Sequence, residues 1–347
     1  MGGKAGLPSS RLVQIPKEKL KTLFFCEIIE KAMLKICSNK KRVYQLRNLL
    51  FQALIPSQLI RKTDVVIGFD TASSILGARC RALGRPFLLD QTAVSKTTSS
   101  RWAVEMGRAP DQAFEFHREQ KEIQSSDALV VASTFCKESF LEAAKKIHVN
   151  PYGTSFSAQS KKADTQPKEK TLKLLFAGNA TWNKGIRQLE QLWNLGKRDW
   201  PSQATLTVAG AVAPELRERL LSGGCKVTGR LLSNDLQQLM ASNDILLFPS
   251  LYEGFGLVVL EAMAQGMVVL GSMNSGARDV IQDGLDGFLF PAGEIQGMAK
   301  TLADLMQNPD RKDRIGRAAS EKAKRFTWEA YGKRYEQILS QTLRNHY

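Results

Sequence analysis

Short apolar runs alternate with amphipathic stretches along most of the chain. Strands are predicted at 64–69, 85–89 and 128–132, and again at 173–177, 205–209, 226–228, 244–248, 267–270 and 288–290. Helical patterns fill the intervals, including 72–83, 99–125 and 134–147. Continuous apolar strands that alternate with helices are typical of parallel sheets covered on both faces. The pattern therefore predicts an α/β fold made of two Rossmann-like units.

A polar stretch without periodicity, residues 157–171, separates the two series of strands and is the predicted linker. We expect a first domain at 1–156, a second at 165–325, and a terminal amphipathic helix at 326–347 that crosses back to the first domain. In parallel sheets ligands bind outside the carboxyl ends of the strands. A ligand is therefore expected in the cleft between the two units.

The N-terminal region combines positive charge with helical apolar periodicity. Residues 1–62 contain 13 basic and 3 acidic side chains, whereas the whole chain carries a net charge of +15. Amphipathic patterns lie at 17–37 and 43–60. Two interpretations stay open: these helices pack on a sheet, or they lie on an anionic membrane surface with lysines near lipid phosphates.

Composition excludes several classes of protein. Hydrophobic residues make up 43% and charged residues 24% of the 347 residues, which is typical of a globular protein. No run of 18 apolar residues predicts a transmembrane helix, and no secretory signal is apparent, so a cytoplasmic location is expected. The five cysteines are scattered and the three histidines lack ligand spacing, so no metal site is expected. Neither a nucleic-acid motif nor a dinucleotide G-x-G-x-x-G helix start is present.

The segment that points to chemistry runs from Glu253 to Gly266, EGFGLVVLEAMAQG, directly after a predicted strand. A strand, a glycine turn and a helix N-terminus together present free backbone N–H groups and a positive dipole end to a phosphate or diphosphate. Glu261, one turn into the helix, could accept two hydrogen bonds from a ribose diol. Glu253, before the turn, would point at whatever the diphosphate carries.

This segment resembles the E-x7-E motif of the retaining glycosyltransferases of family four, which have the GT-B fold. Further similarity lies in Leu174–Gly178 with Lys184-Gly185, in 241–250, in the loops at 275–276, 283–284 and 287–288, in the junction Val149–Gly153 and in the helix at Phe326–Trp328. The resemblance implies two domains with parallel sheets facing across a cleft. It also implies transfer of a sugar, with retention of configuration, from a nucleoside-diphosphate sugar.

The resemblance also assigns roles to residues. The donor, a UDP- or GDP-sugar, would be bound by Gly178, Asn179, Lys184, Gly229, Arg230, Leu231, Gly254, Phe255, Gly256, Leu257 and Glu261. Glu253 would hold the transferred sugar and Lys184 would neutralise the diphosphate. No cofactor and no metal would be required. The basic N-terminal region favours a glycan or lipid-linked acceptor, a role in surface polysaccharide synthesis and a peripheral membrane position.

Three departures from the family pattern stand out. Asn179 replaces the arginine that usually follows the first glycine, and no glycine-rich loop precedes the strand at 64–69. The usual acceptor-side histidine is absent as well, and Asp90 is the best candidate for a polar catalytic group facing the cleft. The first domain is thus expected to be shortened. The alternative function is a non-catalytic nucleotide-sugar binder with an incomplete acceptor domain.

Overall fold

The computed structural model describes residues 24–144, 146–156, 171–196, 200 and 204–346, and these residues contain two parallel sheets. The predicted α/β class with two sheets is confirmed. The predicted linker, 157–171, lies outside the described residues except for its last position. The domain boundaries therefore remain predictions.

The first sheet has four parallel strands in sequential order: β1 (Val66–Phe69), β2 (Phe87–Gln91), β3 (Ala128–Val131) and β4 (Ile147–Val149). Its helices are α1 (Phe24–Ile36), α2 (Lys40–Leu54), α3 (Ser57–Arg61), α4 (Ser74–Ala82), α5 (Lys96–Glu105), α6 (Ala113–Ser125) and α7 (Thr134–Glu138). Right-handed crossovers between sequentially ordered strands place the connecting helices on one face of the sheet. Residues of α4, α6 and α7 accordingly share one core with the strands.

Two helix predictions in this unit were wrong in extent. The pattern at 99–125 is two helices, because the chain turns at Gly107, whose φ is +66°, and Pro110 follows. The helix predicted at 134–147 ends at Glu138, and residue 147 is the first residue of β4. This three-residue edge strand, Ile-His-Val, is too short to produce a period-two signal.

The second sheet has six parallel strands in the order β10-β9-β8-β5-β6-β7. These are β5 (Leu172–Ala177), β6 (Ala204–Ala209), β7 (Lys226–Gly229), β8 (Ile245–Phe248), β9 (Val268–Ser272) and β10 (Phe288–Phe290). The chain winds outward from β5 to β7, and then returns to the other side of β5 and winds from β8 to β10. The strand order therefore reverses between β5 and β8.

Helices cover both faces of this second sheet. They are α8 (Ile186–Gly196), α9 (Pro214–Ser222), α10 (Ser233–Ala241), α11 (Leu257–Ala264), α12 (Ala277–Val280), α13 (Ile295–Gln307) and α14 (Pro309–Ala323). One core contains side chains of α8, α9 and α13, and the other contains those of α10, α11 and α12. Burial on both faces explains why the strands read as continuous apolar runs.

The last helix, α15 (Trp328–His346), returns to the first sheet. Tyr335 and Ile338 pack on Leu88 and Val130, on the face opposite to α4 and α6. Without α15 this apolar face of the first sheet would be open to water. No described helix is both long and apolar enough to cross a membrane.

Candidate functional site

The candidate site lies where the strand order of the second sheet reverses. Gly178 follows β5, and the loop 249–256 follows the neighbouring strand β8. Because parallel strands end at the same edge, the two loops leave the sheet side by side, which is the crevice where open α/β sheets bind ligands. The structure thus brings together the two motifs that stand about 70 residues apart in the sequence.

Two glycines let these loops pack closely. Gly185 has a φ of +72°, and a Cβ atom there would lie 1.9 Å from the carbonyl oxygen of Pro249. Gly256 has a φ of +89° and precedes the first residue of α11, where a Cβ would lie 2.6 Å from the ring of Phe248. A side chain at position 185 would separate the two loops, and one at position 256 would displace the turn from Phe248 of β8. No side chain caps α11, so its first backbone N–H groups are available to an anionic ligand.

Lys184 and Glu253 form an ion pair between the two loops, with Nζ of Lys184 bonded to Oε2 of Glu253. Both side chains are about one quarter exposed, at 26% and 22%. The backbone fixes their positions, since the N–H of Glu253 donates to the carbonyl of Asn274 at 2.9 Å and that of Leu251 to Asn183 at 2.8 Å. A cation and a carboxylate therefore meet at one accessible point of the crevice.

The remaining predicted donor-binding residues lie around this edge. Glu261 is half-buried on α11, one turn beyond Leu257. Gly178 follows β5 and Gly229 ends β7, on either side of β6, and both have positive φ. Asn179 and Arg230 are exposed, whereas Leu231 packs partly on the core. The side chain of Phe255 is buried against Tyr152, with ring centroids 5.2 Å apart. Phe255 can therefore offer only backbone groups to a donor.

The first unit presses directly on the glycine turn. A Cβ on Gly254 would lie 2.2 Å from the carbonyl oxygen of Thr92, in the loop after β2. The buried hydroxyl of Ser133, after β3, donates to the carbonyl of Gly254. The N–H of Thr134 donates to Asp279 at 2.7 Å. The loops after β2 and β3 thus form a wall opposite the crevice between the loops that follow β5 and β8.

Asp90, the predicted polar group facing the cleft, has little solvent exposure in the structure. It is buried, and its carboxylate accepts hydrogen bonds from Tyr335 at 3.2 Å and Tyr331 at 3.4 Å, both on α15. The reason is strand alternation: Asp90 shares the face of β2 with Leu88, which α15 covers. Burial raises the pKa of Asp90 to about 6, although the tyrosine hydroxyls act in the opposite direction.

A second carboxylate at this edge of the first sheet is Asp70, which follows β1. Its Oδ1 accepts from the hydroxyl of Thr92 at 2.9 Å, beside the contact with Gly254. Burial raises the pKa of Asp70, while the charges of Lys96 and Arg118 act to lower it. The position of Asp70 directly after an apolar strand is the one signal in the sequence that points to it.

Two more buried carboxylates accept hydrogen bonds from the backbone of the loops at this edge of the first sheet. Both oxygens of Glu119 accept from the N–H of Lys96 at 3.0 Å, at the start of α5. Glu122 accepts from the N–H groups of Thr71 and Ser73 at the start of α4. Burial raises the pKa of both carboxyls, that of Glu119 to about 7. Sequence reasoning missed these caps, since the two glutamates lie 23 to 51 residues along the chain from the N–H groups they accept from.

Tyr152 joins the donor turn to the terminal helix. Its ring contacts Phe255, Trp328 and Tyr331, with centroid distances between 5.2 and 6.0 Å. Gly153 lies so close to the start of α15 that a Cβ would be 2.2 Å from the carbonyl carbon of Thr327. The junction segment 149–153, singled out in the sequence, therefore fixes α15 against the turn. Among the described residues no group of three or more His, Cys, Asp or Glu is arranged to hold a metal ion.

Comparison with known proteins gives a family match over the second unit. Residues 157–322 match the family model described as glycosyl transferases group 1. The sulfoquinovosyl transferase SQD2 of Arabidopsis thaliana is 38% identical over 117 residues, which are 33% of this chain and 23% of that protein. The uncharacterized glycosyltransferase YqgM of Bacillus subtilis is 28% identical over 236 residues, 63% of each chain. Both alignments cover less than two thirds of these relatives.

Solved structures match over most of the chain. Sucrose-phosphate synthase from Thermosynechococcus elongatus has a TM-score of 0.68 at 18% identity, over 94% of this chain and 80% of that one. Anabaena HepE, solved in complex with UDP, has a TM-score of 0.67 at 19% identity, over 86% and 83%. At this identity the likeness shows the fold, which is the GT-B arrangement of two facing α/β units. The comparisons thus place the fold of this chain in the GT-B class and support its assignment to the group 1 glycosyltransferases.

Proposed function

We propose that this protein is a glycosyltransferase that takes a sugar from a nucleoside-diphosphate sugar. One observation carries the proposal: Lys184 and Glu253, on loops from different strands, meet at the reversal of strand order beside the uncapped start of α11. A cation and free N–H groups fit a diphosphate, and a carboxylate next to them fits sugar hydroxyl groups. The group 1 family match over 157–322 supports the same conclusion.

Each part of the donor has a corresponding part of the crevice. The diphosphate is placed between Lys184 and the N–H groups of Gly256 and Leu257. Glu261 accepts the ribose diol, and the base lies near Gly229, Arg230 and Leu231. HepE, crystallised with UDP and with UDP-glucose, shows that a protein of this fold holds such donors. A UDP-sugar is accordingly the first donor to test, with GDP-sugars next.

The chemistry proposed is transfer with retention of configuration. The departing diphosphate carries the charge that develops as the bond to the sugar breaks, and positioned donors stabilise that charge. Lys184 and the start of α11 supply this stabilisation, and Glu253 orients the sugar. The acceptor hydroxyl approaches from the wall of the first unit and gives its proton to the leaving diphosphate, a step that needs no additional base. The E-x7-E spacing of Glu253 and Glu261 supports membership of family four.

The proposed acceptor is a glycan or a lipid-linked glycan at an anionic membrane surface. Large apolar side chains of α1 and α2 are exposed, with Ile28 at 63%, Ile36 at 89% and Leu54 at 44%. They lie within the basic region 1–62, whose first 23 residues are outside the described part. Exposed apolar groups beside lysines are typical of helices that rest on a lipid surface. Both earlier interpretations therefore combine: α2 packs on α4 through Gln52 and keeps an apolar outer side.

The donor site is tested by thermal denaturation with UDP, GDP, ADP and their sugar conjugates. A ligand at 100 times its dissociation constant stabilises the folded chain by about 2.7 kcal/mol. Glu261→Ala should abolish this gain. Glu218→Ala, an exposed glutamate of the helix α9, is the matched control and should retain it.

Turnover then separates the enzyme from the non-catalytic binder, which the comparisons do not favour. Release of nucleoside diphosphate from the stabilising donor, lost in Glu253→Gln, is the expected result. Donor binding without any turnover, in the presence of membrane lipids and glycan acceptors, would support the binder instead. Absence of stabilisation by every nucleotide would refute both.

The membrane position is tested with the full chain and vesicles. Anionic vesicles should bind the protein at low salt and release it at high salt, whereas neutral vesicles should bind it weakly. Phe51→Ser with Leu54→Ser, on the outer side of α2, should weaken binding to anionic vesicles. Equal binding by this double variant would contradict a role for α2.

A further inference from the structure

A groove of 640 Å³ lies between α2, α4 and α6, outside the donor crevice. Its size is within the range of small-molecule sites, about 300–1,000 Å³. Apolar side chains from all three helices form its floor, among them Leu49, Ile75, Ala78 and Phe114. The groove also adjoins the exposed apolar side of α2, because Leu49 belongs to both surfaces.

Positive charge surrounds this apolar floor. Arg81, Arg118 and Lys121 line the groove, and within the described part of the chain none of these three side chains forms an ion pair. The guanidinium of Arg118 lies over the ring of Phe114 at 5.5 Å, and its buried Nε has no hydrogen-bond partner in the described residues. Arg79, the remaining cation of the lining, is used differently: it donates to the carbonyls that end α2.

One end of the groove reaches the wall of the cleft. Thr71, which lines the groove, follows Asp70 directly, and Asp70 bonds Thr92 against the turn at Gly254. The charge of Arg118 also acts on the carboxyl of Asp70. The groove and the wall that contacts Gly254 are therefore connected through the adjacent residues Thr71 and Asp70.

We infer that this groove binds the phosphate group and adjoining hydrocarbon of an anionic lipid, and so presents a lipid-linked acceptor to the donor. An apolar floor and a rim that carries Arg81, Arg118 and Lys121 complement an amphiphile with both hydrocarbon and negative charge, whereas inorganic phosphate would leave the floor exposed to water. The inference rests on the proposed function for the role of the lipid as acceptor. The binding of the lipid itself does not depend on transfer.

The test uses the full chain and isothermal titration with dodecyl phosphate below its micelle concentration. Inorganic phosphate and the neutral amphiphile dodecyl maltoside are titrated separately. Dodecyl phosphate should bind at least about tenfold more tightly than either, since both the charged and the apolar contacts contribute.

Two groove variants remove different features. Arg118→Gln with Lys121→Gln removes charge from the rim, and Ala78→Trp, at an exposed helical position, fills the floor. Each variant should weaken the binding of dodecyl phosphate about tenfold or more. Matched controls on other surfaces, Lys300→Gln with Arg325→Gln and Ala213→Trp, should leave the affinity unchanged, because these positions are exposed and far along the chain from the groove.

Several results would overturn the inference. One is equal affinity of the wild-type chain and both groove variants for dodecyl phosphate, and another is equal affinity for dodecyl phosphate and inorganic phosphate. A change of oligomeric state in Ala78→Trp, measured by analytical ultracentrifugation, would assign the groove to a contact between copies. Stabilisation by the nucleotide donor, measured on the same variants, should persist, so failure of the groove is distinguishable from failure of the donor site.

Discussion

The contact between Gly254 and Thr92 allows a quantitative prediction about closure of the two units. A Cβ at position 254 would lie 2.2 Å from the carbonyl oxygen of Thr92, whereas ordinary contact begins at 3.4 Å. Gly254→Ala therefore forces the turn and the wall apart by about 1.2 Å, the difference of these two distances. Both partners are backbone, so neither can rotate away.

Separation of this size has two costs. Overpacking of a buried contact costs about 1–3 kcal/mol, and loss of the hydrogen bond from Ser133 to the carbonyl of Gly254 adds about 1 kcal/mol. The sum is about 2–4 kcal/mol. The destabilisation cannot exceed the free energy with which the two units dock, because the units can separate and so relieve the overlap. Thermal denaturation should show a decrease in Tm of roughly 5–15 °C.

Activity should fall more than donor binding in Gly254→Ala. The donor crevice belongs to the second unit, but the acceptor must approach it from the first, so a shift of about 1 Å impairs transfer strongly. Gly332→Ala is the matched control, since its Cβ meets no atom within 4 Å and it lies inside α15. That change should stabilise the helix by about 0.5–1 kcal/mol. Normal Tm and normal transfer in Gly254→Ala would refute the closed arrangement.

Three further predictions concern individual side chains. Lys184→Gln should weaken donor binding by about tenfold to 100-fold, because a charged phosphate contact is lost, and calorimetry with UDP measures this change. The free energy of unfolding should change by less than about 1 kcal/mol, because the ion pair with Glu253 is partly exposed, and urea denaturation measures that change. Burial raises the pKa of Glu119 from 4.5 to about 7, so the folded chain keeps a proton that the unfolded chain releases, and stability should fall as the pH rises through that window; Glu119→Gln should flatten this fall in urea denaturation at several pH values. Tyr335→Phe removes a hydrogen bond from the carboxylate of Asp90 and should raise its pKa further above about 6, as carboxyl titration by NMR would record; an unchanged value would contradict the assignment of this contact.

Much of the fold was predictable from the sequence because the central strands of both sheets are buried on both faces. Nine apolar runs were assigned as strands and each corresponds to a strand in the structure. The failures have local causes. β4 is three residues long and lies at a sheet edge. Gly107 and Pro110 lie between α5 and α6, and the helical apolar pattern judged over the whole of 99–125 does not reveal this break.

The donor side was more predictable than the acceptor wall. Gly256 lies in a glycine turn that directly follows a predicted strand, and Lys184 was singled out by the family resemblance of the segment after the strand at 173–177. The burial of Asp90 was not predictable, because a fully buried strand gives no alternation from which to decide which face a residue occupies. Asp70 and Thr92 gain their importance only from contact with Gly254, which lies 160 residues or more away along the chain.

The ion pair of Lys184 and Glu253 has a consequence for selectivity. In the absence of a donor each charge already neutralises the other, so the crevice attracts stray phosphate less than an isolated lysine would. A ligand must therefore exchange partners on both sides at once, giving the ammonium a phosphate and the carboxylate a hydroxyl group. A nucleoside diphosphate without sugar satisfies only the first requirement and leaves Glu253 facing negative charge. For the proposed function, the pair should therefore favour binding of a nucleoside-diphosphate sugar over the nucleoside diphosphate alone and assist release of the diphosphate product.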